Sequence, residues 1–124
     1  MFSTDLSTRG YDGRTVVALR GELDLADAAA VTAGLSAVVT REPWIIVDLG
    51  GLEFIDSSGV AALARGRRKA WQAGGDLVLA APPRKVRRVL AVTRLTDAFG
   101  VYATVEEAAG ALGQRRERAL DVAV

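Results

Sequence analysis

The segment Trp44-Ile45-Ile46-Val47-Asp48-Leu49 constrains this chain more than any other. Its near-continuous apolar run lacks the alternation of a half-solvated strand and reads as a buried strand, the pattern of a parallel sheet covered by helices. The rest of the chain supplies both strands and helices. Asp12-Gly13 is a turn signal between a weak strand, about Phe2 to Arg9, and a stronger one, Thr15 to Arg20, read together as an antiparallel pair. From Asp27 to Val39, Val31, Leu35 and Val38 share one helical face, and Asp27 can cap the start.

After Leu49, Gly50-Gly51 breaks the strand, Leu52 to Ile55 re-enters an apolar segment, and Asp56-Ser57-Ser58-Gly59 stops it. A helix follows from about Ser58 to Ala73, with Val60, Leu63, Ala64 and Trp71 on one face and Arg65, Arg68, Lys69 and Gln72 outward, closed by Gly74-Gly75. Leu77 to Ala80 is the next buried strand. Pro82-Pro83 opens a helix to about Val92, with Val86, Val89 and Leu90 inward. Val101 to Ala103 is the last strand. Val105 to Leu112 is the last helix, with Glu106 and Glu107 favourable in its first turn. The order is β-β-α-β-α-β-α-β-α, an α/β fold with a mixed, mostly parallel sheet of about five strands, the first at an antiparallel edge, and about four helices. Strands added in sequence order through right-handed crossovers would wind the helices as one superhelix. Residues 1–112 form the predicted domain, and residues 113–124 a charged tail expected to fray.

Composition narrows the chemistry. The chain has 124 residues, 16 Lys plus Arg against 15 Asp plus Glu, and neither His nor Cys. Disulfides and thiolate metal sites are excluded, and so is any nucleophile system that needs its own His or Cys. Balanced charge argues against direct DNA binding. No apolar run approaches the roughly 18 residues of a spanning helix, so no membrane insertion is expected. Met1 to Asp5 lacks the basic and apolar regions of a signal peptide, and a cytoplasmic location is expected. No metal site and no cofactor are predicted; neither G-x-G-x-x-G nor the Walker pattern occurs.

Asp56-Ser57-Ser58-Gly59 reads first as a helix cap. The same physics suits a phosphate on Ser57, because a helix N-terminus presents free N–H donors and the positive end of the dipole. Gly59 would leave room for a partner to approach. Gly21-Glu22-Leu23-Asp24 reads as a polar strand-to-helix loop. Beside a parallel neighbour it would place Asp24 and Asp56 on either side of Ser57. At about 5–6 Å and an effective dielectric of 20 to 80, each carboxylate would repel a phosphoserine by on the order of 1–5 kcal/mol before screening. The basic runs Arg65, Arg67, Arg68, Lys69 and Arg84, Lys85, Arg87, Arg88 read as solvated helix faces, or alternatively as a surface for an acidic partner. Trp44 and Trp71 read as core residues.

These residues resemble the STAS domain, specifically the single-domain anti-anti-sigma factors of bacteria. The similarity covers roughly Phe2 to Leu112. It is carried by Gly21-Glu22-Leu23-Asp24, Val47-Asp48-Leu49, Phe54-Ile55-Asp56-Ser57-Ser58-Gly59-Val60, Gly74-Gly75-Asp76-Leu77, Val86-Arg87-Arg88-Val89-Leu90 and Phe99-Gly100-Val101-Tyr102. The chain departs from the pattern at Leu25 and Ala26, where polar residues are common. The resemblance implies a non-enzymatic partner switch. The unphosphorylated form would bind an anti-sigma factor that is itself a serine kinase, and so release a sigma factor. Phosphorylation of Ser57 would end the complex, and a metal-dependent serine phosphatase would restore it. Asp24, Asp56, Ser57, Ser58 and Gly59 are the implied partner-binding residues. The alternatives are a non-switching STAS subunit of a stress-signalling or lipid-transport complex, and a stand-alone enzyme using Asp24, Asp56 and Ser57.

Overall fold

A computed structural model of the chain describes residues 4–94 and 99–122. The elements are β1 (Asp5–Tyr11), β2 (Arg14–Leu23), α1 (Leu25–Arg41), β3 (Trp44–Ile55), α2 (Ser57–Gln72), β4 (Asp76–Ala80), α3 (Arg84–Val92), β5 (Val101–Tyr102) and α4 (Val105–Val122). The five strands lie in the order β1-β2-β3-β4-β5, with β1 antiparallel to β2 and every other pair parallel. This is the predicted mixed sheet. The start of the expected first strand, Phe2 and Ser3, lies outside the described residues.

The apolar run behaves as its pattern requires. Ile45, Val47 and Leu49 pack into the core shared with α1, α2 and α3, while Trp44 and Ile46 face the core built on α4. Residues 45–47 and Leu49 have no exposed surface, and burying each such side chain favours folding by roughly 1.5–3 kcal/mol. Neighbouring strands divide the same way: Val17 and Leu19 against Val16, Leu77 and Leu79 against Val78 and Ala80. The three crossover helices lie on one face because strands are added in one direction with crossovers of one hand. The fourth departs from the single superhelix. It covers the other face, where Ala108, Ala109 and Leu112 pack on Val16, Trp44, Ile46 and Val78.

Several boundaries differ from the sequence reading. Gly50-Gly51 does not end a strand, because β3 continues to Ile55. Its pairing with β2 slips between Ala18 and Arg20 and again between Gly21 and Glu22, and Gly21 has φ +92°, a bulge conformation that L side chains resist. Gly21-Glu22-Leu23 is therefore strand rather than loop. The α1 cap is Asp24, whose Oδ1 accepts from the Ala26 N–H at 3.0 Å, and Asp27 sits inside the first turn. The expected frayed tail from Gly113 is instead helix: α4 runs on to Val122, and Arg115 reaches back to the sheet.

That contact belongs to a buried ionic cluster at the N-terminal end of β4. Asp76 Oδ1 accepts from Arg67 Nε (3.1 Å), Trp71 Nε1 (2.8 Å) and the Leu77 N–H (2.8 Å), and Oδ2 accepts from Arg115 Nη1 (2.6 Å). The Arg67 guanidinium lies 4.5 Å from the Trp71 ring centroid and 5.5 Å from that of Phe99. One carboxylate thus ties α2, on one face, to α4, on the other. The cluster overturns two expectations. Arg67 is buried rather than part of a solvated basic face, and Trp71 is 54% exposed rather than core, because its indole N–H is drawn to Asp76 at the sheet rim.

Burial opposes the Asp76 charge, yet hydrogen bonds from Arg115, the Leu77 N–H and Arg67, with the Arg67 charge, outweigh it and hold the carboxyl below the usual carboxylate range. A depressed native pKa means the unfolded chain binds the proton more readily. The stabilisation is complete above the unfolded value of about 3.9 and is lost as pH falls through the native one. Replacing Asp76 with Ala leaves Arg67 uncompensated and is expected to cost about 3–5 kcal/mol in urea unfolding at neutral pH. The same variant should lose part of the wild-type acid sensitivity below about pH 4.

Candidate functional site

The C-terminal ends of β2 and β3 stand level, Leu23 opposite Ile55. Each strand then does the same thing: one aspartate leaves the sheet and caps the following helix. Asp24 caps α1; Asp56 caps α2, its Oδ1 accepting from the Gly59 N–H at 3.0 Å. The Asp56 N–H donates to the Leu23 carbonyl at 3.2 Å, which joins the two strand ends one residue beyond the ladder. Asp24 and Ser57 therefore flank a single backbone hydrogen bond. The turn at Asp24 and the turn at Asp56-Ser57-Ser58 thus lie side by side at one end of the sheet.

Ser57 is the first residue of α2 and is exposed. Its hydroxyl makes no hydrogen bond among the described residues, and the nearest capping carboxylate, that of Asp56, is engaged by Gly59. The N–H groups of Ser57 and Ser58 belong to the first turn and have no acceptor four residues back within the helix. Such a serine is presented to an approaching group but is not activated as a nucleophile by a neighbouring base. Among the described residues no three or more His, Cys, Asp or Glu side chains group to hold a metal ion.

Gly59 has another role than the one its sequence suggested. It is buried, and a Cβ there would lie 2.7 Å from Ile55 Cγ1, Leu23 Cγ and the Leu23 carbonyl oxygen. Its absent side chain lets α2 close onto the ends of β2 and β3. It positions Ser57 rather than offering surface to a partner.

Two residues at this end were missed as site features. Leu25, directly after the Asp24 cap, is 75% exposed, and Phe54, directly before Ile55, is 46% exposed. Leu25 opens α1 at the edge of the stripe formed by Ala28, Val31 and Leu35, and it stays exposed while Ala28 in the same turn is buried. Phe54 points to the face opposite Ile55, where β3 has run past β4, whose pairing ends at Asp48 with Ala80. The signal available in the sequence was Leu25 itself, a large apolar residue where the STAS pattern carries a polar one.

A family model described as the STAS domain matches residues 5–108. The chain belongs to the STAS family. Anti-sigma-F factor antagonist RsfB of Mycobacterium tuberculosis is 30% identical over 118 residues, spanning 94% of this chain and 96% of that protein. The crystal structure of an anti-sigma factor antagonist from Mycobacterium paratuberculosis superposes with a TM-score of 0.80 at 30% identity, covering 89% of this chain and 94% of the other. SpoIIAA in its unphosphorylated form superposes with a TM-score of 0.70 at 28% identity, covering 84% and 92% of the two chains. The phosphorylated form of that Bacillus cell fate determinant gives 0.63 at 27% identity, covering 87% and 97%. The five-stranded mixed sheet with four helices is the STAS fold of these neighbours.

The geometry separates cap from packing. Asp56→Ala removes one side-chain cap and is expected to cost about 1 kcal/mol. Gly59→Ala forces α2 away from the Leu23 carbonyl and should cost about 1–3 kcal/mol. Urea midpoints of the two variants, read side by side, check the order.

Proposed function

We infer that this STAS protein is an anti-sigma factor antagonist. Its unphosphorylated form binds an anti-sigma factor through the surface around Ser57, and that partner, a serine kinase holding ATP, phosphorylates Ser57 to end the complex. A sigma factor is released while the complex lasts, and a metal-dependent serine phosphatase resets the switch. The chain contributes surface and the acceptor hydroxyl, with no cofactor and no turnover of its own, and it works in the cytoplasm. The observation that carries this reading is the setting of Ser57: exposed, first in its helix, joined to Asp24 through the Leu23–Asp56 hydrogen bond. Relatives named as anti-sigma factor antagonists, one of them solved with and without phosphate, support it.

Physical chemistry supports the direction of the switch. A phosphate on Ser57 adds roughly 1.5–2 negative charges. The helix dipole and the two free N–H groups offset part of that charge, so the phosphorylated chain keeps its fold. The Asp24 and Asp56 carboxylates add to the negative potential that a docked partner would meet. Leu25 and Phe54 supply apolar surface at the same end, the kind of contact that desolvates on binding and makes the interface sensitive to an added charge. No helix among the described residues is long and apolar enough to cross a membrane.

The test is binding to the anti-sigma factor captured with the wild-type chain. Ser57→Asp should weaken that complex by at least about tenfold at low salt, and Ser57→Ala should leave it within about threefold. Incubation with the captured kinase and ATP should add one phosphate to wild type and none to Ser57→Ala, read by intact mass. Equal affinity of Ser57→Asp and wild type, with no phosphate added, would refute the switch.

A further inference from the structure

The near-neutral total conceals a strong separation of charge. Between Ser57 and Arg94 the chain carries nine Lys or Arg and one acid, Asp76, a local charge of +8; the remaining residues carry seven Lys or Arg and fourteen acids, a charge of −7. The single acid is consumed by the buried pairs with Arg67 and Arg115. Arg65, Arg68 and Lys69 on α2 are exposed. So are Arg84, Lys85, Arg87 and Arg88 on α3. Among the described residues none of these seven forms a salt bridge. Both helices lie on the same face of the sheet, over one core.

This arrangement is not explained by stability. α3 begins with four cations in five residues, at the end of a helix where the dipole disfavours positive charge. Arg84 is followed at i+3 and i+4 by Arg87 and Arg88, spacings at which like charges repel. Pro83 at the cap position supplies no side-chain hydrogen bond that would offset this. A sequence that breaks local rules on an exposed face, with no carboxylate partner among the described residues, points to an external one.

We propose that the outer face of α2 and α3 is a second interaction surface, separate from the Ser57 end, and that its occupant is an acidic segment of a protein partner. Five of the seven cations are Arg, whose planar fork can pair with a carboxylate through two hydrogen bonds. Trp71, 54% exposed on α2, and Val92, 77% exposed at the end of α3, add apolar surface to the same two helices. An anionic membrane fits less well, because Val86 and Leu90, the apolar side of α3, are buried and cannot insert. A nucleic acid, long and uniformly negative, would also meet the −7 remainder of the chain, whereas a short acidic segment meets only the patch.

The test uses the full chain and a fluorescently labelled Glu-rich peptide, read by anisotropy at low and at physiological ionic strength. Binding should weaken with salt, and Arg84→Glu with Arg88→Glu should weaken it by about tenfold or more. Arg116→Glu with Arg118→Glu, the same change of net charge on α4 across the sheet, should weaken it by no more than about twofold. Amide shifts on titration should fall on α2 and α3. Thermal unfolding of both double variants verifies that each is folded. Equal loss in the two variants would mean that net charge alone drives the binding and would overturn the assignment. So would tighter, co-localised binding of duplex DNA or of phosphatidylserine vesicles run as parallel arms.

Discussion

Burial of β3 on both faces is the constraint on which the rest of the molecule depends. A strand with Ile45, Val47 and Leu49 on one side and Trp44 and Ile46 on the other cannot sit at the surface of a sheet. It must be central, with parallel neighbours and helices above and below. The crossover rule then places α1, α2 and α3 on one face, leaving the other to α4. The whole layout follows from satisfying one hydrophobic run twice.

The two ends of that strand have been given different tasks. At its start, the rim of the sheet is locked by the Asp76 carboxylate, which gathers Arg67, Trp71 and Arg115 from both helical layers. At its far end, β3 runs on past β4 alongside β2 and delivers two aspartate caps and Ser57 to the surface. Rigidity at one end and presentation at the other suit a molecule whose proposed work is to be bound, modified and released. The Gly59 contact with Leu23 joins these tasks, since it seats the helix that carries Ser57 at one end and Arg67 at the other.

Much of this was legible in the sequence because it depends on local rules. Periodicity located four helices and the central strands, Asp12-Gly13 announced the hairpin, and Asp56-Ser57 announced a helix start. The readings that failed did so where distant residues decide. Gly50-Gly51 reads as a break, yet the β2 ladder carries the strand through by way of bulges. Trp71 reads as core by its phase, yet Asp76 holds its indole at the rim. Gly113 reads as a stop, yet packing on the sheet and the reach of Arg115 to Asp76 carry α4 onward.

The sequence by itself determined the class of fold, the absence of a self-contained His or Cys chemistry, and Ser57 as the residue of interest, since each rests on composition, period or capping within a few neighbours. Only the tertiary structure decided that the turns carrying Asp24 and Ser57 are joined by the Leu23–Asp56 hydrogen bond, that Gly59 is there for packing, and that Arg67 is withdrawn from a basic face which the other seven cations keep. Those outcomes turn on which strands lie side by side and which helices share a face. Such relations are set by burial summed over the whole chain, and no short window of sequence contains them.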